Sequence, residues 1–107
     1  MASFYKNAKV DLTTAGVTTL YTAPAATTAV FKSLLVADDS GSTSTITVTI
    51  TDSAAAVFVL YNVKATTANG TVELLTEPLV IQESEVLKVT AANANRLHVI
   101  GSYLEIT

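Results

Sequence analysis

Cysteine and tryptophan are both absent from the 107 residues, and histidine occurs once. Without cysteine the chain forms no disulfide and offers no thiolate to a metal. A single histidine excludes a multi-histidine metal site within one chain and leaves any Ser–His–acid triad to His98 alone. The missing tryptophan weakens a sugar-stacking site. Charge is also scarce, 14% of residues against roughly a quarter in typical soluble domains, with a net of −3. Lys6, Lys9, Lys32, Lys64, Lys88 and Arg96 are scattered along the chain, so no phosphate-tracking stripe forms and nucleic acid is not expected as a partner. No apolar run approaches the ~20 residues that span a bilayer, and no membrane partner is expected. The first residues lack a basic region followed by an apolar run, so the expectation is a protein made in the cytoplasm.

What is present is apolar residue, half of the chain. The length fits one domain, residues 1–107, with no second core. A domain this small buries a modest fraction of its surface. With disulfides excluded, oligomerisation is the remaining source of extra stability.

The apolar residues alternate. In Thr45-Ile46-Thr47-Val48-Thr49-Ile50-Thr51, the aliphatic side chains fall on one parity and the threonines on the other. Successive strand side chains point to opposite faces, and both sets are β-branched, so this is a strand with one dry face and one hydroxyl face. The hydroxyl face suits either solvent or a subunit contact. Strand-like runs also cover residues 4–12, 16–22, 29–37, 55–63, 71–76, 79–82, 86–91 and 96–106. Turn chemistry separates them: Asp38-Asp39-Ser40-Gly41-Ser42, Thr51-Asp52-Ser53, Asn69-Gly70, Glu83-Ser84-Glu85 and Asn93-Ala94-Asn95. Turns at ~8–12-residue spacing predict an all-β antiparallel sandwich of about eight strands, jelly-roll or immunoglobulin-like. The alternation changes parity near Gly101, which predicts a β-bulge there. Residues 1–11, with Phe4 and Tyr5 close to the start, form either an edge strand of the same sheet or an arm that adds to a neighbour. Phe4, Tyr5, Lys6 and Val10 are the candidate subunit or partner contacts.

Little in the sequence points to catalysis. No serine lies in a Gly-x-Ser-x-Gly turn, and the four glycines are too far apart to cradle a phosphate. Asp38, Asp39 and Asp52 lack the alternating ligand pattern of a calcium loop, and Glu73, Glu77, Glu83 and Glu85 carry no spacing that pairs them across a cleft. The chain is read as a non-enzyme without cofactor or metal.

Six stretches give the chain a familiar outline. Thr19-Leu20-Tyr21-Thr22-Ala23-Pro24-Ala25 is followed by Thr28-Ala29-Val30-Phe31-Lys32-Ser33-Leu34-Leu35-Val36-Ala37. Ser40-Gly41-Ser42 then leads into Ile46-Thr47-Val48-Thr49. Glu85-Val86-Leu87-Lys88-Val89-Thr90-Ala91 precedes Ser102-Tyr103-Leu104-Glu105-Ile106. In this order the chain resembles a family of short virion proteins of tailed bacteriophages, many from marine bacteria and cyanobacteria. The resemblance implies a non-enzymatic β-sandwich in the virion: a capsid decoration (cement) protein that binds the major capsid protein or other virion proteins as a homo-oligomer, with a trimer favoured. A tail, neck or fibre-adaptor component is the alternative within the virion. A carbohydrate-binding module for host attachment is a third reading, and it requires an exposed cluster drawn from Tyr5, Tyr21, Tyr61 and Tyr103.

Overall fold

The computed structural model describes residues 2–107. Nine strands run in chain order: β1 Ser3–Leu12, β2 Val17–Thr22, β3 Thr28–Asp38, β4 Thr45–Thr51, β5 Val57–Ala65, β6 Thr71–Glu73, β7 Leu79–Ile81, β8 Val86–Ala91 and β9 Leu97–Ile106. They form two antiparallel sheets packed face to face. One has the order β1-β9-β3-β6, with β7 also on β3; the other has the order β2-β8-β4-β5.

The pairing is nested. β1 pairs with β9, β2 with β8, β3 with β6 and β7, and β4 with β5, each antiparallel. The chain is thus one long hairpin folded at the β4–β5 turn and then rolled, which is the strand order of a jelly roll. Of the two sandwich types that the sequence allows, this is the one formed. Asp52 builds the turn at the midpoint: its Oδ1 accepts the N–H groups of Ala54 and Ala56 at 2.9 Å each. Asn69 takes a left-handed φ of 53° beside Gly70, as the Asn-Gly pair predicts.

The inner faces follow the alternation. In β4, Ile46 and Val48 are fully buried while the threonines between them are half-buried on the outside. Opposite them stand Phe31, Leu34 and Val36 of β3 and Leu97 and Val99 of β9, all fully buried. Each such side chain contributes ~1.5–3 kcal/mol of hydrophobic stabilisation. The rings of Tyr21, Phe31 and Tyr103 meet at centroid distances of 4.7–5.3 Å and fill one end of the core.

Two features bear on the expectations. The described residues 2–11 lie in or beside β1, an edge strand of their own sheet, and do not leave it as an arm. β1 stays in unbroken register with β9 from Ser3↔Ile106 to Leu12↔Leu97, and Ala2 and Thr107 exchange backbone hydrogen bonds beyond it. Nor is there a bulge at Gly101. Leu97, Val99, Gly101, Tyr103 and Glu105 all point inward without a change of phase. The register shift lies on the neighbouring strand, between Phe31 and Ser33 of β3. The apparent parity change arises because Ile100, Leu104 and Ile106 lie on the outer face, whereas the buried polar residue Glu105 lies on the inner one.

Candidate interaction surfaces

Phe4, Tyr5, Lys6 and Val10 do not form one patch. Phe4, Lys6 and Val10 share the inward parity of β1, and Tyr5 points the other way. Val10 is half-buried and packs against the core. Phe4 is exposed near the end of the strand, and the Lys6 ammonium lies 5.9 Å from its ring centre. Tyr5 is 80% exposed.

The Lys6 amine is held inside the molecule's own network. Its Nζ donates to Glu105 Oε1 at 2.7 Å, and the Tyr21 hydroxyl donates to Glu105 Oε2 at 2.6 Å. Glu105 is buried, so both carboxylate oxygens need partners, and both have one. The hydrogen bond from Lys6, then the one from Tyr21, holds the Glu105 carboxyl below its ordinary range. Glu105 in turn raises the Lys6 ammonium above its ordinary value. Burial, followed by the hydrogen bond to Glu105, pushes the Tyr21 phenol far up, and burial raises Tyr103 as well. Three residues, Lys6 of β1, Tyr21 of β2 and Glu105 of β9, therefore clip the two sheets together. The bond to Glu105 commits one of the three N–H donors of Lys6, whose side chain is otherwise about half exposed.

The larger apolar surface lies on the opposite edge, where β5 is the last strand of its sheet. Val57, Phe58, Val59 and Val63 are each 56–60% exposed, and Leu60 is exposed as well. Sequence reasoning missed this surface. An unbroken apolar run reads as a strand covered on both faces, and nothing local to residues 57–63 says that the strand ends a sheet. Two irregularities shape it: register shifts against β4 fall between the Ile46 and Val48 pairs and between the Val48 and Thr49 pairs, leaving unpaired residues on β5. At the first of these, Val63 adopts a φ of 50°, and its N–H donates to Thr47 Oγ1 at 3.1 Å. Tyr61 turns inward, and its hydroxyl donates to the Leu74 carbonyl, tying β5 to the segment between β6 and β7.

The outer face beside β5 carries the hydroxyl ladder. Thr47, Thr49 and Thr51 stand next to Thr90, Lys88 and Val86 of β8, and these stand next to Val17, Thr19 and Thr22 of β2. Threonines thus occur on three adjacent strands, with Lys88 in their midst.

The other polar groups are dispersed. His98 sits between two carboxylates, with Nε2 3.2 Å from Asp11 Oδ1 and Nδ1 3.9 Å from Asp39 Oδ2. Both ring nitrogens therefore face acids rather than a serine or threonine hydroxyl. Asp38 is buried and binds Ser40, whereas Asp52 serves the β4–β5 turn. Among the described residues no three His, Asp or Glu side chains are grouped to hold a metal ion. Likewise, no helix among them is long and apolar enough to cross a membrane. The four tyrosines form no surface cluster, because Tyr21 and Tyr103 are core residues and Tyr61 is half-buried. Comparison with protein-family models, with curated proteins and with solved structures finds no match.

Proposed function

We propose that this chain is a structural subunit of a bacteriophage particle: a capsid decoration protein that binds the assembled shell and stabilises it. The observation that carries the reading is the β5 edge, where Val57 and Val59 on one face, Phe58 on the other, and Leu60 and Val63 at the register shifts are all exposed, on a domain with few charges. An exposed apolar edge strand is an aggregation hazard unless another protein covers it. The jelly roll adds support by analogy alone, since viral capsid and lectin domains both use it and a fold does not fix a function.

The mechanism is binding free energy. Copies arrayed on a repeating shell bury apolar and hydroxyl-rich surface against the major capsid protein. Many modest contacts acting together resist the pressure of packaged DNA. The carbohydrate-binding reading loses its main prop, because only Tyr5 of the four tyrosines is well exposed. A tail or neck component remains the second reading within the virion, and copy number separates the two.

The test is cosedimentation of the purified protein with expanded capsids, followed by quantification of bound copies. Saturable binding on the order of hundreds of copies per shell supports decoration. Roughly six to a dozen copies places the chain at the neck or tail, as expected for a ring at one vertex. Failure to bind any shell or virion part overturns the proposal.

A further inference from the structure

We infer that the outer face of the β1-β9-β3 sheet carries a binding site for one unit of an acidic glycan, a carboxylated sugar such as a hexuronate, built from Tyr5, Asn7, Lys32 and Ser102. A shallow cavity of about 360 Å³ lies there, lined by these four residues and floored by Lys6 and Tyr103. Its size falls within the roughly 300–1,000 Å³ of small-ligand sites, and its open form suits a sugar within a chain rather than an enclosed molecule.

The register brings the polar groups together. Asn7 of β1 pairs with Ser102 of β9, and Ser102 pairs with Ser33 of β3, so amide and hydroxyls stand in one row across three strands. Tyr5 shares the outward parity of Asn7 and lies one step along β1. It is 80% exposed, so its ring offers a free apolar face beside that row.

Lys32 reaches the same face through the irregularity in β3. The register shift between Phe31 and Ser33 leaves Lys32 without a partner on β9. It sets Lys32 and Ser33 both outside the core, between buried Phe31 and Leu34. Bulges of this kind re-aim a side chain and are common beside functional sites. Glu73 of β6 holds the bulge: its Oε2 accepts the Ser33 hydroxyl at 2.9 Å, and its Oε1 accepts the Leu34 N–H at 3.3 Å. Among the described residues the ion pairs are made by Lys6 and His98, so the Lys32 ammonium has no carboxylate of its own.

These groups define the ligand. One free ammonium, with Glu73 limiting the positive field around it, matches a single negative charge and not a phosphate chain or a nucleic acid. The Asn7 amide and the Ser102 hydroxyl match ring hydroxyls, and the Tyr5 ring matches the C–H face of a pyranose. A carboxylated sugar combines all three. A lectin-like cluster needs several exposed tyrosines; this site uses one. Because β5 belongs to the other sheet, a copy seated on a shell through that edge keeps this face open.

The experiment is chemical-shift mapping of the isotope-labelled full chain, titrated with trigalacturonate, with its uncharged methyl ester and with sodium sulfate. Trigalacturonate is expected to shift the amides of residues 5–7, 32–33 and 102, with a Kd on the order of 1 mM, as befits a small open site. The ester and sulfate should bind about ten-fold more weakly, the loss of one charge-assisted hydrogen bond or of the ring contact. Lys32→Met and Tyr5→Ala, both at exposed positions and checked for folding by circular dichroism, should each weaken binding by a similar factor. Lys64→Met, the same charge change on the other sheet, should leave it unaltered. No shifts at tens of millimolar ligand, shifts elsewhere on the molecule, ester or sulfate binding as well as the acid, or a Lys32→Met protein that binds like its parent would overturn the inference. The readout needs no capsid, so the site stands or falls independently of the capsid reading.

Discussion

The ring of Phe31 lies so close to Gly101 that a Cβ on the glycine would stand 2.6 Å from Cε2 of the ring. Glycine is required there by contact, not by backbone conformation, because Gly101 has no left-handed φ. The ring is itself wedged between Tyr21 and Tyr103, so it has little freedom to retreat. Gly101→Ala should therefore destabilise the domain by about 1–3 kcal/mol through overpacking. Ser102→Ala, one residue along on the exposed face, should change stability by less than about 0.5 kcal/mol. Urea denaturation of both variants checks this, and equal midpoints would show that the ring yields freely.

The β4 alternation allows a paired test. Val48 is fully buried, and a carboxylate there would lie in the core without a partner. Val48→Asp should abolish soluble folding. Thr47→Asp points outward and keeps an oxygen near the Val63 N–H, so its cost should stay below about 1 kcal/mol. Soluble yield and thermal melts of the two variants decide the matter, and equal tolerance would contradict the inward placement of Val48.

Strand positions were legible in the sequence because they are written locally, in a period of two and in turns such as Asn69-Gly70. The nested pairing was not. Ser3 meets Ile106 across nearly the whole chain, and no local pattern announces a partner at that separation. Gly101 misled for a physical reason: the outer face of β9 carries Ile100, Leu104 and Ile106, so hydrophobicity alone puts the wrong parity inside. Glu105 could be recognised as an inner residue only once Tyr21 and Lys6 were seen to satisfy it. The same limit hid the site. Phe4 and Tyr5 stood out as early aromatics, while Val57–Val63 looked like ordinary core strand until its place at the sheet edge was known.

The Glu105 network makes stability depend on pH in a definite direction. The carboxyl is held below its unfolded value, so its contribution is complete above the ordinary carboxylate range and is lost as pH falls through the depressed folded value. The ammonium of Lys6 is raised, so its contribution is complete below its ordinary value of 10.5 and is lost as pH rises through the folded one. Lys6→Met removes the largest cause of the Glu105 shift. The acid-side fall in urea midpoint should then be smaller and finish at a higher pH than in the parent. Tyr21→Phe should cost about 1 kcal/mol near neutrality and move the acid limb the same way by a smaller amount. Acid limbs that superimpose for parent and Lys6→Met would show that the pair does not set the carboxyl.

Val63 provides the opposite kind of test, a substitution expected to stabilise the isolated domain. Its φ of 50° suits asparagine, whose short polar side chain tolerates the left-handed region, far better than valine. The side chain is exposed, so replacing it removes little internal packing, and the N–H bond to Thr47 Oγ1 is a backbone bond that the change leaves in place. Val63→Asn should raise the unfolding free energy of the dilute, monomeric protein by about 0.5–1.5 kcal/mol. Val63→Ala, which keeps a Cβ in the same conformation but sheds the branching, should fall between the two. Chemical denaturation at low micromolar concentration makes the comparison. A loss of stability in Val63→Asn would mean that the valine methyls hold the bulge from within, and the strain would then be offset inside the chain and not at its surface.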